Sequence, residues 1–476
     1  MKSRHVRRAL PGALVLMLVG CTSPLDDPSR LPAAHSQTVP DHRDPAPLSR
    51  FRPSDSPSGP ALAPLDSDAS PDDYVRFALY NNPEVEAAYQ RWRAATERLP
   101  QVRALPDPRV NVGFFVEEVE TRVGPQEARL GVSQTFPFPG KLDDREHASS
   151  KAALAAWRTF EAIQLDVTER VVERLHELAY LDASTRITIE NLELLRSFEE
   201  VLRARYRVGA GSHPELIRVQ VELGQLEDRV SQLRAMRPAS VASLNASLNR
   251  SSAAEIPELV RLPARVADRD ADALIAIARE ANPTLLAIDA RIEEARGLTE
   301  VARNDGMPDL TVGLDYIVTG EADDRSVSGS GDDPILLTFG FNVPLGREKY
   351  DAGVREAMAR RFAVAHERSD AANRVEAAIR RAWFDHMDGD RRVRLYEDAL
   401  IPKAEESIRA SLAGFRAGET GFLDLLDTER TLLEFAIAAE RARADRGKAL
   451  ARLHRLTGTS IPTRPADAPA PKEASQ

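Results

Sequence analysis

Two pairs of segments alternate apolar and polar residues, which is the pattern of a β-strand with one apolar face. In residues 310–319 every second side chain is apolar, and residues 335–343 repeat the pattern after a loop rich in Gly, Ser and Asp. Residues 110–116 and 130–136 show the same period more weakly. Each strand is about 10 residues long, the length of a tilted membrane-spanning β-strand. The sequence therefore predicts four such strands.

Very long helices are predicted between and after these strands. Residues 140–207 contain no internal proline or glycine, which at about 1.5 Å per residue gives a rod on the order of 100 Å. We expect this helix to pair with an antiparallel helix at residues 215–248, and residues 350–415 to pair with 423–456 in the same way. Apolar residues recur along the first rod with coiled-coil spacing, at Val167, Val171, Leu178, Leu181, Leu192, Leu195, Leu202 and Tyr206.

The chain is an internal duplication. A shift of 200 residues superimposes the Asn-Pro pair that starts at Asn82 on the pair that starts at Asn282, and a shift of 209 superimposes Gly209 on Gly418. Each half has the same order of elements, with short helices, two strands and a long helical hairpin. We place the first repeat at residues 71–258 and the second at residues 259–458.

The N-terminus has the features of a lipoprotein signal. A basic start precedes an apolar stretch too short to span a bilayer, and Cys21 follows. We expect residues 1–20 to be removed and Cys21 to be acylated, which would anchor the chain to outer-membrane lipid. A chance cysteine after an ordinary signal peptide is the alternative. Residues 21–70 and the tail at 459–476 are rich in proline, and we expect both to be disordered.

Composition excludes several classes of protein. The 74 Asp and Glu residues outnumber the 64 Lys and Arg residues, which argues against nucleic acid as a partner. A single cysteine excludes a disulfide framework. No stretch of about 18 apolar residues occurs, so no transmembrane helix is predicted.

The sequence shows no nucleophile with a base, metal cluster or phosphate loop. We therefore expect no enzyme, no cofactor and no metal site. His386 has three aspartates nearby and could bind a cation, but a solvated helix end near Gly389 is the preferred interpretation. Four aspartates lie in the loop between the last two strands; calcium could bind there, and plain solvation is the default interpretation.

Four strands with one apolar face cannot close a barrel, and a bilayer does not tolerate open sheet edges. The chain must therefore oligomerise. Two copies would give eight strands and three copies twelve, and of these only the larger barrel leaves a lumen. A homotrimer with a 12-stranded barrel, continued by the helical hairpins as a tube, is the expected architecture of this mainly α fold with a small β part.

Residues 71–458 resemble the TolC-like outer-membrane factors, which form trimeric export ducts in Gram-negative bacteria. The lipoprotein signal that ends at Cys21 resembles that of the lipidated branch of this family. Residues 133–141 look most like its CusC/CzcC-like, metal-efflux members. The resemblance is carried by the two Asn-Pro pairs, by Pro106, Asp107, Pro108 and Arg109, by the strand exit at residues 133–141, and by the turns at residues 206–209 and 415–418.

The resemblance implies that the two helix turns form a closed periplasmic tip. Carboxylates around a threefold axis there would favour cations. Phe415 and Thr420 stand where well-known members have a Tyr and an Arg that lock the gate, so the resemblance does not carry that bond network over to this chain. For Asp424 and Asp427 the alternative is that they cap or solvate a helix start. The residues assigned to the aperture are Glu215, Phe415, Thr420, Asp424 and Asp427, and the adaptor-contacting turns contain Gly209, Gly211, Gly418 and Gly421.

These expectations describe the outer-membrane channel of a tripartite efflux system, which would work with a periplasmic adaptor and an inner-membrane pump. Heavy-metal cations are one cargo that the likeness implies. The alternatives are a lipid-anchored structural or adhesive coiled-coil lipoprotein and a duct for type I protein secretion. A surface enzyme is disfavoured because the sequence offers no site for it.

Overall fold

The structure, a computed structural model, describes residues 65–66, 69–209, 211–259, 262–324, 326–417 and 419–466. The predicted signal peptide, the predicted lipidation residue Cys21, most of the predicted tether and the turn residue Gly418 lie outside the described residues.

The two repeats follow one another in the same order of elements. The first forms α1 (Pro71–Asn81), α2 (Pro83–Thr96), α3 (Arg98–Arg103), β1 (Arg109–Thr121), β2 (Gly124–Phe136), α4 (Lys141–Arg207) and α5 (His213–Ser247). The second forms β3 (Arg265–Ala267), α6 (Ala271–Ala281), α7 (Pro283–Asn304), β4 (Leu310–Thr319), β5 (Ile335–Phe341), α8 (Arg347–Arg394), a π-helical stretch (Leu395–Leu400), α9 (Ile401–Ala417), α10 (Phe422–Thr457) and β6 (Thr463–Pro465).

The duplicated Asn-Pro pairs have the same structural role in both repeats. Each asparagine caps a helix: the Asn82 side chain accepts a hydrogen bond from the Glu84 N–H at 2.9 Å, and Asn282 from the Leu285 N–H at 3.0 Å. Each amide also donates to a carbonyl at the end of the long hairpin, Asn82 to Ser247 at 2.9 Å and Asn282 to Leu456 at 2.7 Å. The cap therefore fixes the short helices to the hairpin of the same repeat.

Four antiparallel strands form one sheet in the order β1-β2-β4-β5, so the two repeats meet at the pairing of β2 with β4. β1 and β2 are longer than predicted, because they continue through a β-bulge after Phe114 to a tight turn at Gly124. Gly124 has a φ of 128°, and a Cβ there would lie 1.9 Å from the Gly320 carbonyl oxygen. Only glycine therefore fits this turn.

The predicted helical hairpins are confirmed, since α4 packs along α5 and α8 packs along α10. A contact that the sequence did not indicate joins the repeats, because α4 also packs along α7 and α10. One apolar cluster lies in the first repeat, one in the second, and a third between the hairpins at the end where the helices turn.

The long helix of the second repeat is interrupted between α8 and α9, whereas α4 of the first repeat is continuous. Pro402 has no N–H and its ring clashes with the carbonyl one turn earlier, and the π-helical stretch Leu395–Leu400 lies directly before it. A wider π turn is the usual way in which a helix accommodates such a lost bond.

Part of the predicted disordered tail is ordered. β6 pairs antiparallel with β3, with Val266 opposite Arg464, and Ile461 is buried in the core of the second repeat. The correction has a local cause, because burial of Ile461 and three strand pairs order a segment that its prolines made look disordered. In the described part of the chain, no helix is both long and apolar enough to cross a bilayer.

Candidate functional site

The first tip turn joins α4 to α5 through a well-defined cap. The Ser212 hydroxyl accepts a hydrogen bond from the Glu215 N–H at 3.4 Å, and the Glu215 carboxylate accepts one from the Ser212 N–H at 3.3 Å. Gly209 has a φ of 76°, a left-handed conformation that favours glycine. A Cβ on Gly211 would lie 3.0 Å from the Tyr206 nitrogen. Gly209 and Gly211 are thus turn residues that the backbone requires.

The second tip turn joins α9 to α10 in a related way. The Asp424 carboxylate accepts a hydrogen bond from the Gly421 N–H at 3.3 Å, the same role that Glu215 has in the first turn. Thr420 donates from its hydroxyl to the Ser411 carbonyl at 3.1 Å, which closes the end of α9. Asp424 therefore caps the start of α10.

An apolar core joins the two hairpins behind these turns. Phe415 and Phe422 are both buried, with an edge-on contact of 5.9 Å between ring centroids. The Arg205 guanidinium of the other hairpin stacks 4.6 Å from the Phe415 ring centroid. It also donates to the Phe415 carbonyl at 3.3 Å. Phe415 thus holds α4 and α9 together within one copy of the chain.

A pair of carboxylates that the sequence analysis missed lies next to this core. Glu222 on α5 and Glu429 on α10 are buried, and Arg430 forms an ion pair with Glu222. The signal was present in the sequence, since Glu429 continues the apolar stripe of Leu425 and Leu426 at helical spacing. An acid in an apolar stripe indicates a buried carboxylate.

The structure brings the assigned aperture residues to one end of the molecule. Glu215 and Asp424 occupy equivalent caps, and the Asp427 side chain is 77% exposed with a carboxylate oxygen 3.8 Å from Arg430. The Phe415 ring packs against Phe422, and the Thr420 hydroxyl caps the end of α9, so both side chains contact their own chain. The assignment of these five residues to an aperture remains a prediction.

The second candidate surface is one face of the four-stranded sheet. The strand register sets apolar side chains in transverse rows, and these side chains are exposed although they are large. The two central rows are Val110, Val132, Leu314 and Leu337, and Val112, Leu130, Tyr316 and Ile335. An exposed apolar surface that crosses every strand indicates contact with lipid or protein.

The opposite face of the sheet is polar. Arg129 donates to both carboxylate oxygens of Asp315, at 3.0 and 2.7 Å. Gly131 makes room for this pair, because a Cβ there would lie 2.2 Å from an Asp315 oxygen. Asn111, opposite Gly131 in the register, lies on the same face. The sheet thus has one apolar and one polar side, as the alternation predicts.

A buried ion pair fixes the sheet to the helices. Lys141, at the start of α4, has a side chain only 5% exposed and donates to Asp309 at 2.7 Å and to the Met307 carbonyl at 2.9 Å. Asp309 also accepts the Phe138 N–H at 2.8 Å. Burial alone would raise the pKa of Asp309, but the bonds from Lys141 and Phe138 hold that pKa below its usual value.

His386 is neither a cation ligand nor part of a solvated helix end. It is buried inside α8; its Nε2 accepts the Ala267 N–H at 3.0 Å, so its Nδ1 carries the proton and donates to the Arg446 carbonyl, also at 3.0 Å. Gly389 is needed for close packing, since a Cβ there would lie 3.0 Å from Arg446 Cβ. Within the described residues, no three His, Cys, Asp or Glu side chains are grouped to hold a metal ion.

Two of the four aspartates in the loop between β4 and β5 hold that loop in shape. The Asp324 carboxylate accepts the Ser326 N–H at 2.9 Å, and Asp333 accepts the Thr319 N–H at 2.7 Å. Both therefore serve as backbone acceptors in the loop, beyond simple solvation.

The chain matches the family model described as outer membrane efflux protein over residues 75–250 and 274–459, more than half of its length. It is similar to the cobalt-zinc-cadmium resistance protein CzcC of Cupriavidus metallidurans, with 22% identity over 79% of this chain and 86% of that relative. The outer membrane protein TolC of Vibrio cholerae serotype O1 is 24% identical over 80% of this chain and 89% of its own length.

A crystal structure of CusC has the same fold, with a TM-score of 0.69 at 14% identity, over 86% of this chain and 99% of CusC. The similar order of helices and strands agrees with the match along both repeats. The chain therefore belongs to the outer membrane efflux protein family, and it functions as an efflux channel of the outer membrane.

Proposed function

We propose that three copies of the chain form a duct, with a shared 12-stranded barrel in the outer membrane and a tube of helical hairpins in the periplasm. The observation that carries the proposal is the four-stranded sheet with one exposed apolar face. In the described part of the chain, β1 and β5 each pair on one side only. Pairing β5 with β1 of the next copy would satisfy these edges, which a bilayer requires.

The two faces of the sheet support this orientation. The rows around Leu314 would face lipid, and the face with Arg129 and Asp315 would line the water-filled exit. Because the bidentate pair joins opposite charges, the exit would carry little net charge from these residues.

We further propose that acylated Cys21 anchors the mature chain in the outer membrane. Its place directly after a short apolar segment and a glycine supports this. One lipid anchor would strengthen the attachment to the membrane that the barrel provides, without itself spanning the bilayer.

At the other end, the tip turns would meet a periplasmic adaptor that connects the duct to an inner-membrane pump. The turns around Gly209, Gly211, Gly418 and Gly421 would provide the contact. Glu215, Asp424 and Asp427 would surround the aperture. The capping bonds hold the Glu215 and Asp424 carboxylates at the tip turns, and the Asp427 side chain is 77% exposed, which supports a cation-favouring ring.

Heavy-metal cations are the cargo that we propose. The name of the relative CzcC refers to cobalt, zinc and cadmium resistance, and a ring of carboxylates would pass divalent cations more readily than anions. The likeness to CzcC extends over most of both chains.

Neutralising the proposed ring tests the aperture. We expect Asp424→Asn with Asp427→Asn to shift the reversal potential of single channels toward lower cation preference, by several-fold in permeability ratio. Asparagine still accepts the Gly421 N–H, so the helix start should persist. Single-channel recording in planar bilayers under a salt gradient measures the ratio.

The matched control is Glu419→Gln, which removes one exposed charge from the same turn. It should leave the permeability ratio close to that of the unmodified channel. An unchanged ratio in the Asp424 and Asp427 double variant would remove these residues from the aperture.

A further inference from the structure

Two carboxylates from different hairpins interact next to the apolar core behind the tip turns. Glu222 is 7% exposed on α5, and Glu429 is 1% exposed on α10. Arg430 forms its ion pair with Glu222 and lies 3.8 Å from Asp427. Among the described residues, the Glu429 Oε1 atom has no hydrogen-bond partner. One carboxylate of the pair is thus matched by a cation and the other is buried without a full set of bonds.

The surroundings of Glu429 offer little else to stabilise a negative charge. α4 and α9 contribute Leu195, Phe198, Ile408 and Leu412 to the apolar cluster at this level. Charged side chains in the tip halves of these helices have other partners, Arg196 with Glu227, Arg203 with Glu199, and Arg409 with Glu405, while Arg205 stacks on Phe415. Glu222 and Arg430 are the charges that act on Glu429.

We propose that Glu222 and Glu429 form a proton-dependent latch, in which the two hairpins stay packed at the tip while Glu429 is protonated and separate when it ionises. The consequence for export rests on the proposed duct, since separation of the hairpins would widen its periplasmic end. The two acids come from α5 and α10, so mutual repulsion acts directly across the contact between hairpins.

The direction of the pH dependence follows from the two states of Glu429. Burial, and then the charge of Glu222, raise the pKa of Glu429 to about 8 from its usual value of 4.5, with Arg430 acting in the opposite direction. A raised pKa means that the packed tip holds a proton that the separated tip releases. Packing is therefore fully favoured below about pH 4.5 and is lost as pH rises to about 8. Within this window separation should increase up to about tenfold per pH unit.

The test is a distance measurement at the tip of the full-length trimer in detergent. Val221→Cys and Thr431→Cys place spin labels on exposed positions of α5 and α10, and the proposed acylation of Cys21 keeps its sulfur from reacting with the label. Doubly labelled copies are diluted into trimers with unlabelled copies, so that the distance measured is the one within a single chain. We expect the ratio of separated to packed hairpins to rise by about 100-fold between pH 5.5 and 7.5, and to level off above about pH 8. Pulsed electron paramagnetic resonance measures the distribution of distances between the two spin labels, and this distribution shows the packed and the separated states.

Glu429→Gln keeps the shape of the side chain and removes its ionisation, so its hairpins should stay packed over the whole range. Glu222→Gln removes the repulsion and should weaken the pH dependence without abolishing it, because burial is the larger cause of the raised pKa of Glu429. The control Glu434→Gln, an exposed acid on the same helix, should follow the unmodified protein. The latch is overturned if the unmodified distance is constant from pH 5.5 to 9, or if Glu429→Gln separates as the unmodified tip does.

Conductance recorded on the same samples separates this inference from the proposed function. A pH-dependent distance without any conductance would contradict the duct and support the latch. Conductance with a constant distance would support the duct and overturn the latch.

Discussion

Leu337→Arg should prevent assembly of the trimer in the outer membrane. Leu337 lies in the central apolar row of the sheet, on the proposed lipid side, and is exposed in the single chain. An arginine near the bilayer midplane costs about 2–4 kcal/mol in a barrel, and the cost would recur in each of the three copies. The measurement is the fraction of chain recovered as a trimer from the outer-membrane fraction.

The neighbouring residue provides a matched control for this substitution. Leu336 pairs with Asp315 on the opposite, polar face of the same strand. Leu336→Arg makes the same chemical change, but its charge would face the water-filled lumen, so assembly should be nearly normal. Equal recovery of the two variants would contradict the assignment of the apolar face to lipid.

Lys141→Met should destabilise the junction between the sheet and the long helix by about 3 kcal/mol. The substitution leaves the Asp309 carboxylate without its cation, and breaking a buried pair from one side is costly. Backbone amides in the first turns of α4 should therefore exchange with solvent roughly 100-fold faster. Hydrogen exchange followed by mass spectrometry measures this at residues 141–150.

Acid conditions should reduce the difference between this variant and the unmodified protein. The pKa of Asp309 is held below its usual value of 3.8, so the pair stabilises the fold above pH 3.8 and loses that contribution as the pH falls and the carboxylate protonates. The control is Arg103→Met, whose pair with Glu146 of α4 spans 3.5 Å and whose side chain is 71% exposed. Exposed pairs contribute below about 1 kcal/mol. Similar exchange rates in both variants would show that Lys141 is not a clamp.

Periodicity predicted the regular elements of this chain closely. The run without proline or glycine before Arg207 became one helix, Lys141–Arg207, and the alternation at residues 310–319 became one strand with the predicted bounds. Both signals are local, because they arise from the side-chain positions of neighbouring residues on one face. The duplication then transferred the same order of elements to the other half.

Long-range contacts were beyond such reasoning. The Lys141–Asp309 pair joins residues 168 positions apart, and nothing in either neighbourhood specifies the partner. His386 looked solvated among aspartates, but the packing of α8 on α10 at Gly389 buries it. The cap by Asp424 was foreseen as an alternative, whereas the Glu222–Glu429 contact depends on how two hairpins meet.

Three copies of the chain should make one water-filled duct through the outer membrane. Native mass spectrometry of the protein purified from the outer membrane, together with single-channel recording of the same sample in planar bilayers, tests this. We expect a trimer with discrete, cation-preferring conductance. A monomer that conducts no ions and is held to the membrane only through Cys21 would contradict it.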